Sequence, residues 1–433
     1  MTDCFLGLDL GTSGLRGVVL SETGECVAEA VITWPQPERD PHVWRQALET
    51  VLAQIRSHLP SAYAIRAVSA CSTSGSILPL DRQGRPLHGA ILYCDPVPEQ
   101  LGIPNSWGLA KWLAWQEAFP EVAAFSVLAH PTDWLLQQMG GSRLVTDHTN
   151  ALKSGFDPQS YAWKAGLPVE QFPEVVAPGT VIGEMDPAWG LGKGVVVAGL
   201  TDGCAAQVAA GAWGVGQVCT SLGTTLIFKA ACQDSVDSGS LYSHLHPDRR
   251  GWWVGAASST GGGILGVWFP GEDLAAWDAR IAKRPPTGIP SYPLAQPGER
   301  YPLADPDYPG FLPAAEVGSV DFYQALLEGI ACVERYGIEQ LPVPYPKQVF
   351  TTGGACRSRV WLGIRAGVLQ CPLVLSRYPQ PAYGAAMVAA AGWWQCGVST
   401  AGQGLWRAGE VIEPGSLDYT AQYEAWLARI PKA

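Results

Sequence analysis

The opening of the chain carries the pattern that most limits its fold. Apolar residues 4–10 lead into a turn at 11–14, and two further apolar stretches follow at 16–20 and 26–34. Strands joined by tight turns predict an antiparallel meander. A dinucleotide-binding fold or a P-loop would instead pass from its first strand directly into a helix. The opening therefore excludes both of those designs.

The second half of the chain repeats the pattern. Residues 218–222 are predicted to form a strand, residues 223–225 are a Gly-Thr-Thr turn, and residues 226–230 are predicted to form a second strand. Apolar residues also recur at helical spacing, as at 43–59 and 358–370. Mixed strands and helices are typical of α/β layers. The repeat predicts two similar domains that present their hairpins to one deep cleft.

The domain boundaries follow from this repeat. We assign residues 1–212 to the first domain, together with the segment 410–433, whose helix near 418–430 is expected to fold back on it. Residues 213–409 form the second domain. The stretch 284–313 is rich in Pro, Gly, Asp and Tyr and predicts an irregular surface excursion. Residues 385–394 predict a compact, alanine-rich apolar helix.

Net charge narrows the possible ligands. The 433 residues carry a formal charge of -11, whereas broad nucleic-acid binding needs many Lys and Arg on one face. We therefore expect no nucleic-acid partner. A nucleotide would be held locally, by glycine-rich turns that aim backbone N–H groups at phosphate and by a bound divalent cation.

Cysteine use and apolar runs indicate a soluble, cytoplasmic protein with no membrane partner. The eleven cysteines include no Cys-x-x-Cys pair and no Cys/His spacing suited to zinc. They are expected to be reduced and mostly buried. The N-terminus lacks the basic region of a signal peptide. No apolar run approaches the roughly 18 residues of a membrane helix.

A carboxylate lies at the end of the first strand, just before a polar turn. Backbone N–H groups and hydroxyls at Gly11, Thr12 and Ser13 can face phosphate oxygens, and Asp9 can hold a hydrated Mg²⁺. Arg16 lies in the same stretch and is a further nucleotide-binding candidate. The alternative is an ordinary hairpin with an exposed aspartate.

Asp202 follows a second apolar strand, 194–198, and opens a helix of small residues. A carboxylate at a helix start can be an N-cap, which contributes about 1 kcal/mol. Its other possible role is general base for a hydroxyl whose acidity rises only as a P–O bond forms. The sequence around Asp202 leaves both roles open.

Two further turns are candidates for binding the nucleotide. Hydroxyls and backbone at the second hairpin tip suit the outer phosphates, and paired glycines after the strand near residue 350 let backbone approach a ribose or a flat ring. Taken alone, each is only a turn. The candidate residues are Gly223, Thr224, Thr225, Gly353, Gly354, Ala355 and Ser358.

The order of these motifs resembles that of the FGGY carbohydrate kinases, in the ribonuclease-H-like group that includes actin and hexokinase. The resemblance covers nearly the whole chain and implies two ribonuclease-H-like domains, ATP and Mg²⁺ as cofactors, and Asp202 as catalytic base. The matching segments are Asp9 to Thr12, Thr132-Asp-Trp-Leu135, Thr146-Asp-His-Thr-Asn150, Gly199-Leu-Thr-Asp202, Gly353-Gly-Ala355 and Tyr383-Gly-Ala-Ala386.

Two sugar-contacting loops depart from the family pattern. Residues 70–76 replace a Gln- or Met-containing loop with Ser and Thr, and residues 93–96 lack the final arginine of Trp-x-Asp-x-Arg. The short chain is most similar to cyanobacterial and plant kinases described as acting on ketopentoses. This likeness implies phosphorylation of D-ribulose to D-ribulose 5-phosphate, with the sugar bound by Asp9, Ser74 and Asp202. D-xylulose kinase and other polyol kinases are the alternatives within the family.

Two readings of another class remain. One is a degenerate kinase that binds sugar and nucleotide as a sensor without phosphoryl transfer. The other is a nucleotide-gated binding protein like the chaperone ATPases, but the chain after residue 400 is too short for their peptide-binding domain. The expected partners are small molecules, a sugar and ATP, and the expected state is a monomer or a small homo-oligomer.

Overall fold

The computed structural model describes residues 1–100 and 102–431, and its contacts divide into two units. Unit 1 comprises Met1–Gly211, Pro247–Arg250 and Tyr378–Arg407, and unit 2 comprises Ala212–His246, Gly251–Arg377 and the chain from Ala408 onward. The last two residues of the segment 410–433 lie outside the described residues. Among those that are described, no helix is long and apolar enough to cross a membrane.

Strands and helices alternate along both units. The strands are β1 (Thr2–Gly11), β2 (Gly14–Ser21), β3 (Cys26–Thr33), β4 (Tyr63–Ser72), β5 (Leu78–Asp81), β6 (Ser126–Ala129), β7 (Val145–Asp147), β8 (Phe156–Asp157), β9 (Ala162–Trp163), β10 (Glu174–Val176), β11 (Val181–Glu184), β12 (Val195–Val197), β13 (Leu200–Thr201), β14 (Val218–Leu222), β15 (Leu226–Cys232), β16 (Tyr242–Leu245), β17 (Trp252–Ala257), β18 (Val349–Thr352), β19 (Leu373–Ser376) and β20 (Ala408–Ile412). The helices are α1 (Pro41–His58), α2 (Gly108–Ala118), α3 (Pro120–Ala123), α4 (Pro131–Gln138), α5 (His148–Ala151), α6 (Asp202–Ala210), α7 (Gly263–Trp268), α8 (Leu274–Ile281), α9 (Val320–Glu339), α10 (Arg359–Leu369), α11 (Pro381–Trp394), α12 (Val398–Leu405) and α13 (Thr420–Leu427).

The main sheet of unit 1 begins with the predicted meander, which is confirmed. Strands β1, β2 and β3 pair antiparallel in sequence, and Gly11 lies opposite Gly14 at the first turn. Strand β4 then pairs parallel to β1, and both β12 and β13 pair parallel to β4. The sheet order is β11-β12-β4-β1-β2-β3, with β13 beside β4. The carboxyl ends of β1, β4 and β13 therefore lie next to one another.

Both faces of this sheet are covered, which explains the near-continuous apolar run in β1. Leu6 and Leu8 share a buried cluster with Leu48 and Val51 of α1. On the other face, Phe5 meets Trp394 of α11 edge to face, with ring centroids 5.0 Å apart. The predicted alanine-rich helix is confirmed as α11. It is buried on all sides from residue 382 to residue 392, as expected of a helix with no polar face.

Helix α11 touches its neighbours through backbone. A Cβ on Gly7 would lie 1.9 Å from the carbonyl oxygen of Ala382, and a Cβ on Gly384 would lie 2.0 Å from that of Ala205. Only glycine permits approaches this close. Through α11, strand β1 and helix α6 are held at a fixed spacing.

The main sheet of unit 2 repeats the plan. Strands β14, β15 and β17 form an antiparallel meander, β18 pairs parallel to β14, and β19 pairs parallel to β18. Edge strands β16 and β20 complete the order β16-β17-β15-β14-β18-β19-β20. The predicted internal repeat is confirmed, because each unit has a meander followed by parallel strands in the same order.

The C-terminal helix differs from its predicted place. We expected it to pack on the first domain, but α13 belongs to unit 2. The reason is Trp426, which is fully buried there, stacks on Tyr292 with ring centroids 5.6 Å apart, and donates from Nε1 to the Ser291 carbonyl oxygen at 2.8 Å. Helices α11 and α12, which we expected in the second domain, belong to unit 1.

The stretch 284–313 is irregular, as predicted, but it is not simply a surface excursion. Tyr292, Tyr301 and Tyr308 all belong to the core of unit 2. Two of the three hydroxyls are satisfied inside the protein: the Tyr292 hydroxyl donates to Glu299 at 2.8 Å, and the Tyr301 hydroxyl donates to the Gly337 carbonyl oxygen at 2.5 Å. Buried tyrosines replace regular structure as the source of stability here.

The backbone contact at Gly384 predicts a large effect of a small change. Gly384→Ala should lower the free energy of unfolding by about 1–3 kcal/mol, because the added methyl group must displace backbone rather than a flexible side chain. Urea denaturation measures this. Gly363→Ala in α10 is the matched control, since a Cβ there meets nothing within 4 Å, and it should be neutral or stabilising by about 0.5–1 kcal/mol. Equal effects of the two substitutions would contradict the close approach of α11.

Candidate active site

Two carboxylates meet at the strand ends of unit 1. Asp9 lies near the end of β1 opposite Cys71 of β4, and Thr201 at the end of β13 lies opposite Ser72. Asp202 follows Thr201 directly and is the first residue of α6. Ligands of α/β sheets bind where the carboxyl ends of parallel strands come together. The structure thus brings the two predicted acidic site residues to one edge.

Burial and charge act together on Asp9. Burial and, to a lesser extent, the nearby charge of Asp202 raise the pKa of the Asp9 carboxyl to about 7, although Cys71 and Arg16 act in the opposite direction. The Cys71 thiol donates to Asp9 Oδ1 at 3.5 Å. Burial and Asp202 disfavour the ionised form of Asp9, and a cation bound at this edge of the sheet would stabilise that form.

Asp202 is not the cap of its helix. The N-cap of α6 is Thr201, whose hydroxyl accepts from the Cys204 N–H at 3.4 Å. Asp202 accepts from the N–H of Gly203 at 2.6 Å. Of the two roles that the sequence left open, the capping role therefore belongs to Thr201.

The first polar hairpin adjoins this pair. Thr12 and Ser13 form the two-residue turn between β1 and β2, and Trp34 holds that turn by donating from Nε1 to the Thr12 carbonyl oxygen at 2.7 Å. Arg16 lies opposite Asp9 on β2 and pairs with Glu29 at 2.8 Å. All four predicted nucleotide-binding residues of unit 1, Gly11, Thr12, Ser13 and Arg16, thus lie beside Asp9.

The serine-rich loop after β4 is held from within. Ser72 Oγ lies 2.6 Å from Thr132 Oγ1, and Thr73 Oγ1 lies 2.8 Å from Ser76 Oγ. Ser74 differs, because its Oγ is buried and has no hydrogen-bond partner among the described residues. A buried, unsatisfied hydroxyl suits a ligand's polar group.

In unit 2, the second polar hairpin packs against a run of glycines that sequence reasoning missed. The hairpin tip is residues 223–225, between β14 and β15. Gly262 donates its N–H to the Gly223 carbonyl oxygen at 2.7 Å, and Gly263 donates to that of Thr224 at 3.0 Å. The signal in the sequence was the run Gly261-Gly-Gly263 after β17. It supports the hairpin of Gly223, Thr224 and Thr225 from behind.

The predicted nucleoside loop adjoins the same hairpin strand. Gly353 has a φ of +97°, and a Cβ there would lie 2.4 Å from the Leu222 carbonyl oxygen. Nothing lies within 4 Å of the corresponding position on Gly354. Ala355 is buried, and the Ser358 hydroxyl caps α10 by accepting from the Trp361 N–H at 2.9 Å. Ser358 is thus committed partly to its helix, and Gly354 offers the most open approach.

A buried ion pair ties these two turns together. Arg365 of α10 makes two bonds of 2.7 Å to Glu334 of α9, and both side chains are fully buried. Thr220 of β14 donates to Glu334 at 2.6 Å, and Arg365 donates to Thr351 of β18 at 2.6 Å. Since β14 precedes the hairpin and β18 precedes the glycine pair, the network fixes both turns within unit 2.

The open cavities within the units lie elsewhere. One of them, of about 700 Å³, is lined by residues that include Arg66, Lys193 and Trp393, near the amino ends of β4 and β12. That edge is opposite to the one that carries Asp9 and Asp202. Within residues 1–100 and 102–431, no cluster of three or more His, Cys, Asp and Glu is arranged to hold a metal ion. We locate the site by its carboxylates and strand ends rather than by cavity size.

Two family models match the chain. The N-terminal domain of the FGGY family of carbohydrate kinases matches residues 4–101, and its C-terminal domain matches residues 218–393. The two matches together span more than half of the chain. They also coincide with the two meanders, one in each unit.

Similar proteins agree with these models. The chain is 26% identical over 428 residues to the xylulose kinase of Escherichia coli strain K12, with 84% of each chain covered. A "xyloylose kinase" from Brucella ovis superimposes with a TM-score of 0.86 at 22% identity, covering 98% of this chain and 97% of that one. Plasmodium falciparum glycerol kinase with ADP gives 0.83 at 15% identity, covering 100% and 99%. The two solved structures show a shared fold.

Sequence motifs, family models and fold converge on one assignment. The predicted resemblance to FGGY kinases is confirmed by both domain matches. The predicted two-domain α/β fold of the actin and hexokinase kind is confirmed by the structural neighbours. The chain therefore belongs to the FGGY family of carbohydrate kinases, as an ATP-dependent sugar kinase similar to xylulose kinases.

Proposed function

We propose that this chain transfers the γ-phosphate of ATP to the primary hydroxyl of a ketopentose, with Asp202 as general base. The observation that carries the proposal is the position of Asp202, directly after β13, near Asp9 at the end of β1. Because Thr201 caps α6, helix capping does not account for an acid at position 202. A base in contact with the reacting hydroxyl does.

In phosphoryl transfer the protein contributes mainly by positioning the reactants and by stabilising charge. As the sugar oxygen attacks, a bond forms from it to the γ-phosphorus, and the bond from that phosphorus to the bridging oxygen of ADP breaks. ADP leaves with the electron pair, and the hydroxyl proton passes to Asp202. A carboxylate suits this step because the hydroxyl becomes acidic only as the O–P bond forms.

We propose the polar turns at the strand ends as the contacts for ATP. Backbone N–H groups at hairpin tips bind phosphate without surplus positive charge. In unit 2, the contacts of Gly353 with β14 and the open space at Gly354 support a ribose or adenine site there. The proposed contacts are Gly11, Thr12, Ser13, Arg16, Gly223, Thr224, Thr225, Gly353, Gly354, Ala355 and Ser358.

Asp9 is the residue that we propose for Mg²⁺. In phosphoryl-transfer sites this ion uses one or two carboxylates together with substrate phosphates. The donor set at the edge of unit 1 fits, because Asp9 is an oxygen donor whose ionisation burial and Asp202 oppose. Bound there, Mg²⁺ would neutralise charge on the phosphate oxygens.

For the sugar we propose D-ribulose. Ser74 supports a compact polyol, since its buried hydroxyl lacks a partner among the described residues, and Asp9 and Asp202 flank the same strand ends. The loop at 93–96 supports a site unlike that of most relatives. Its Asp95 is held by Arg39 through bonds of 3.0 and 2.5 Å, so an arginine from outside the motif supplies the ion pair.

D-xylulose is the second candidate. It is favoured by a separate observation, because the full-length relatives that match this chain are named xylulose kinases. The two ketopentoses differ in the configuration of one hydroxyl. Discrimination between them depends on whether a buried hydrogen-bonding group such as Ser74 is left unpaired by the wrong sugar.

The role of Asp202 is tested by Asp202→Asn. Sugar-dependent ADP release should fall by about 10²- to 10⁴-fold, because the amide cannot take the proton. Titration calorimetry should find ATP binding within about threefold of the parent, since the nucleotide contacts are retained. Asp186→Asn is the matched control: Asp186 caps a short helix in the same unit by accepting from Ala188 at 2.9 Å, and its loss should leave turnover unchanged. Normal turnover by Asp202→Asn would overturn the assignment.

The raised pKa of Asp9 predicts how stability depends on pH. Unfolded Asp9 loses its proton near pH 4, whereas folded Asp9 holds it until about pH 7. The stabilising contribution of Asp9 is therefore lost as pH rises across this window. Asp9→Asn, which cannot ionise, should gain stability relative to the parent from pH 4.5 to 7 and then level off, by on the order of 1–3 kcal/mol. Urea denaturation without Mg²⁺ or nucleotide measures the difference; a pH-independent difference would contradict it.

The sugar is identified by ADP release with Mg²⁺ and ATP across D-ribulose, D-xylulose, L-ribulose, glycerol and common hexoses. We expect the highest kcat/KM with D-ribulose, because the serine loop and the Arg39–Asp95 pair depart from the usual sugar site. A preference for D-xylulose or glycerol would retain the kinase and reject D-ribulose. ATP binding with no stimulation by any sugar would favour the sensor.

A further inference from the structure

A buried aspartate, Asp147, lies outside the two sugar loops. It is hydrogen-bonded to Thr149, which in turn is hydrogen-bonded to the backbone N–H of Thr201, the residue before Asp202. Asp147 ends β7 and is 1% exposed. Its carboxylate accepts four hydrogen bonds: from the N–H and hydroxyl of Thr149 at 2.8 and 2.5 Å, and from the N–H and side-chain amide of Asn150 at 3.1 and 2.6 Å. Burial raises the pKa of the Asp147 carboxyl to about 6, and the four hydrogen bonds oppose that rise, so the carboxyl is ionised at neutral pH.

Thr149 passes this interaction on. Its hydroxyl donates to Asp147 and at the same time accepts from the backbone N–H of Thr201 at 2.9 Å. A hydroxyl has a single proton. Because the Thr149 hydroxyl donates its hydrogen to Asp147, only the lone pairs of its oxygen are available to Thr201. The carboxylate therefore keeps the Thr149 oxygen available as the acceptor for the Thr201 N–H.

Thr201 is the residue at which β13 becomes α6. Its side chain caps the helix, and the next residue is Asp202. Holding the N–H of Thr201 fixes the peptide between Leu200 and Thr201, one residue before Asp202. Small displacements of a catalytic group are costly, since a misplacement of about 1 Å can reduce turnover about a hundredfold.

We propose that Thr149, oriented by Asp147, is a positioning residue for Asp202, a role that rests on the proposed function of Asp202 as base. A purely local role for Asp147 is to cap the four-residue helix α5, through the N–H groups of Thr149 and Asn150. That cap does not need the Thr149 hydroxyl or its bond to Thr201. The two roles can therefore be separated at Thr149.

Thr149→Val and Thr149→Ser separate them. Valine keeps the shape and removes the hydroxyl, whereas serine keeps it. We expect Val to lower kcat about 10- to 100-fold with KM for ATP and for sugar within about twofold, and Ser to stay within about threefold of the parent. If valine prevents folding, Thr149→Ala removes the same hydroxyl and is compared with Ser.

Thr146→Val is the matched control. Thr146 lies in β7, next to Asp147, is 1% exposed, and its Oγ1 lies 2.8 Å from His130 Nδ1. It should show a comparable loss of thermal stability with kcat unchanged. If Thr146→Val reduced kcat as much as Thr149→Val does, the effect would be one of general destabilisation, and the positioning role would be rejected.

A double substitution distinguishes failure of this inference from failure of the proposed function. If Thr149 acts through Asp202, the Val change should lower turnover no further in an Asp202→Asn background. An equal additional loss in that background, or parental kcat in Thr149→Val, would overturn the positioning role while Asp202 remains the base. Normal turnover by Asp202→Asn alone would overturn the base instead.

Discussion

Backbone contact between α11 and its neighbours is the constraint on which the geometry of unit 1 depends. Gly7 and Gly384 let this helix touch β1 and α6 without side chains between them. Side-chain packing tolerates small shifts by rotamer change, whereas backbone in contact with backbone cannot adjust in that way. Strand β1, which carries Asp9, and helix α6, which begins at Asp202, thus both pack directly on α11, and this fixes their spacing. Two acids on separate elements keep a constant distance only if both elements are held in place by a third one.

The electrostatic cost of the site is concentrated in Asp9. Two carboxylates at neighbouring strand ends repel each other, and burial adds to the penalty, so the pKa of Asp9 rises to about 7. An ordinary structural aspartate has its pKa lowered by its partners, as Asp95 does beside Arg39. Asp9 has Arg16 nearby, but that guanidinium is paired with Glu29. A buried charge that the protein itself does not neutralise is typical of a functional site.

Sequence patterns predicted the strands and helices better than the tertiary contacts that these elements make. Both meanders and α11 were visible because tight turns and the absence of polar residues are local signals. Trp426 shows the limit: its helix was predicted, but nothing local states that its ring stacks on Tyr292. Thr149 is a sharper case. Its partner Thr201 lies 52 positions away, and a threonine that bonds a distant backbone has the same local sequence as one that does not.

The two units use one strand order for different chemistry. Unit 1 places acids at its strand ends. Unit 2 places glycines and threonines there, and its buried cation, Arg365, is neutralised by Glu334. Removing one partner of such a pair leaves a buried charge, which costs about 3–5 kcal/mol, so the pair specifies the spacing of β14, β18, α9 and α10. Arg365 therefore has a structural role, because its pair with Glu334 fixes the two turns that we propose to bind phosphate. Backbone N–H groups can bind phosphate without surplus positive charge, which agrees with a net charge of -11.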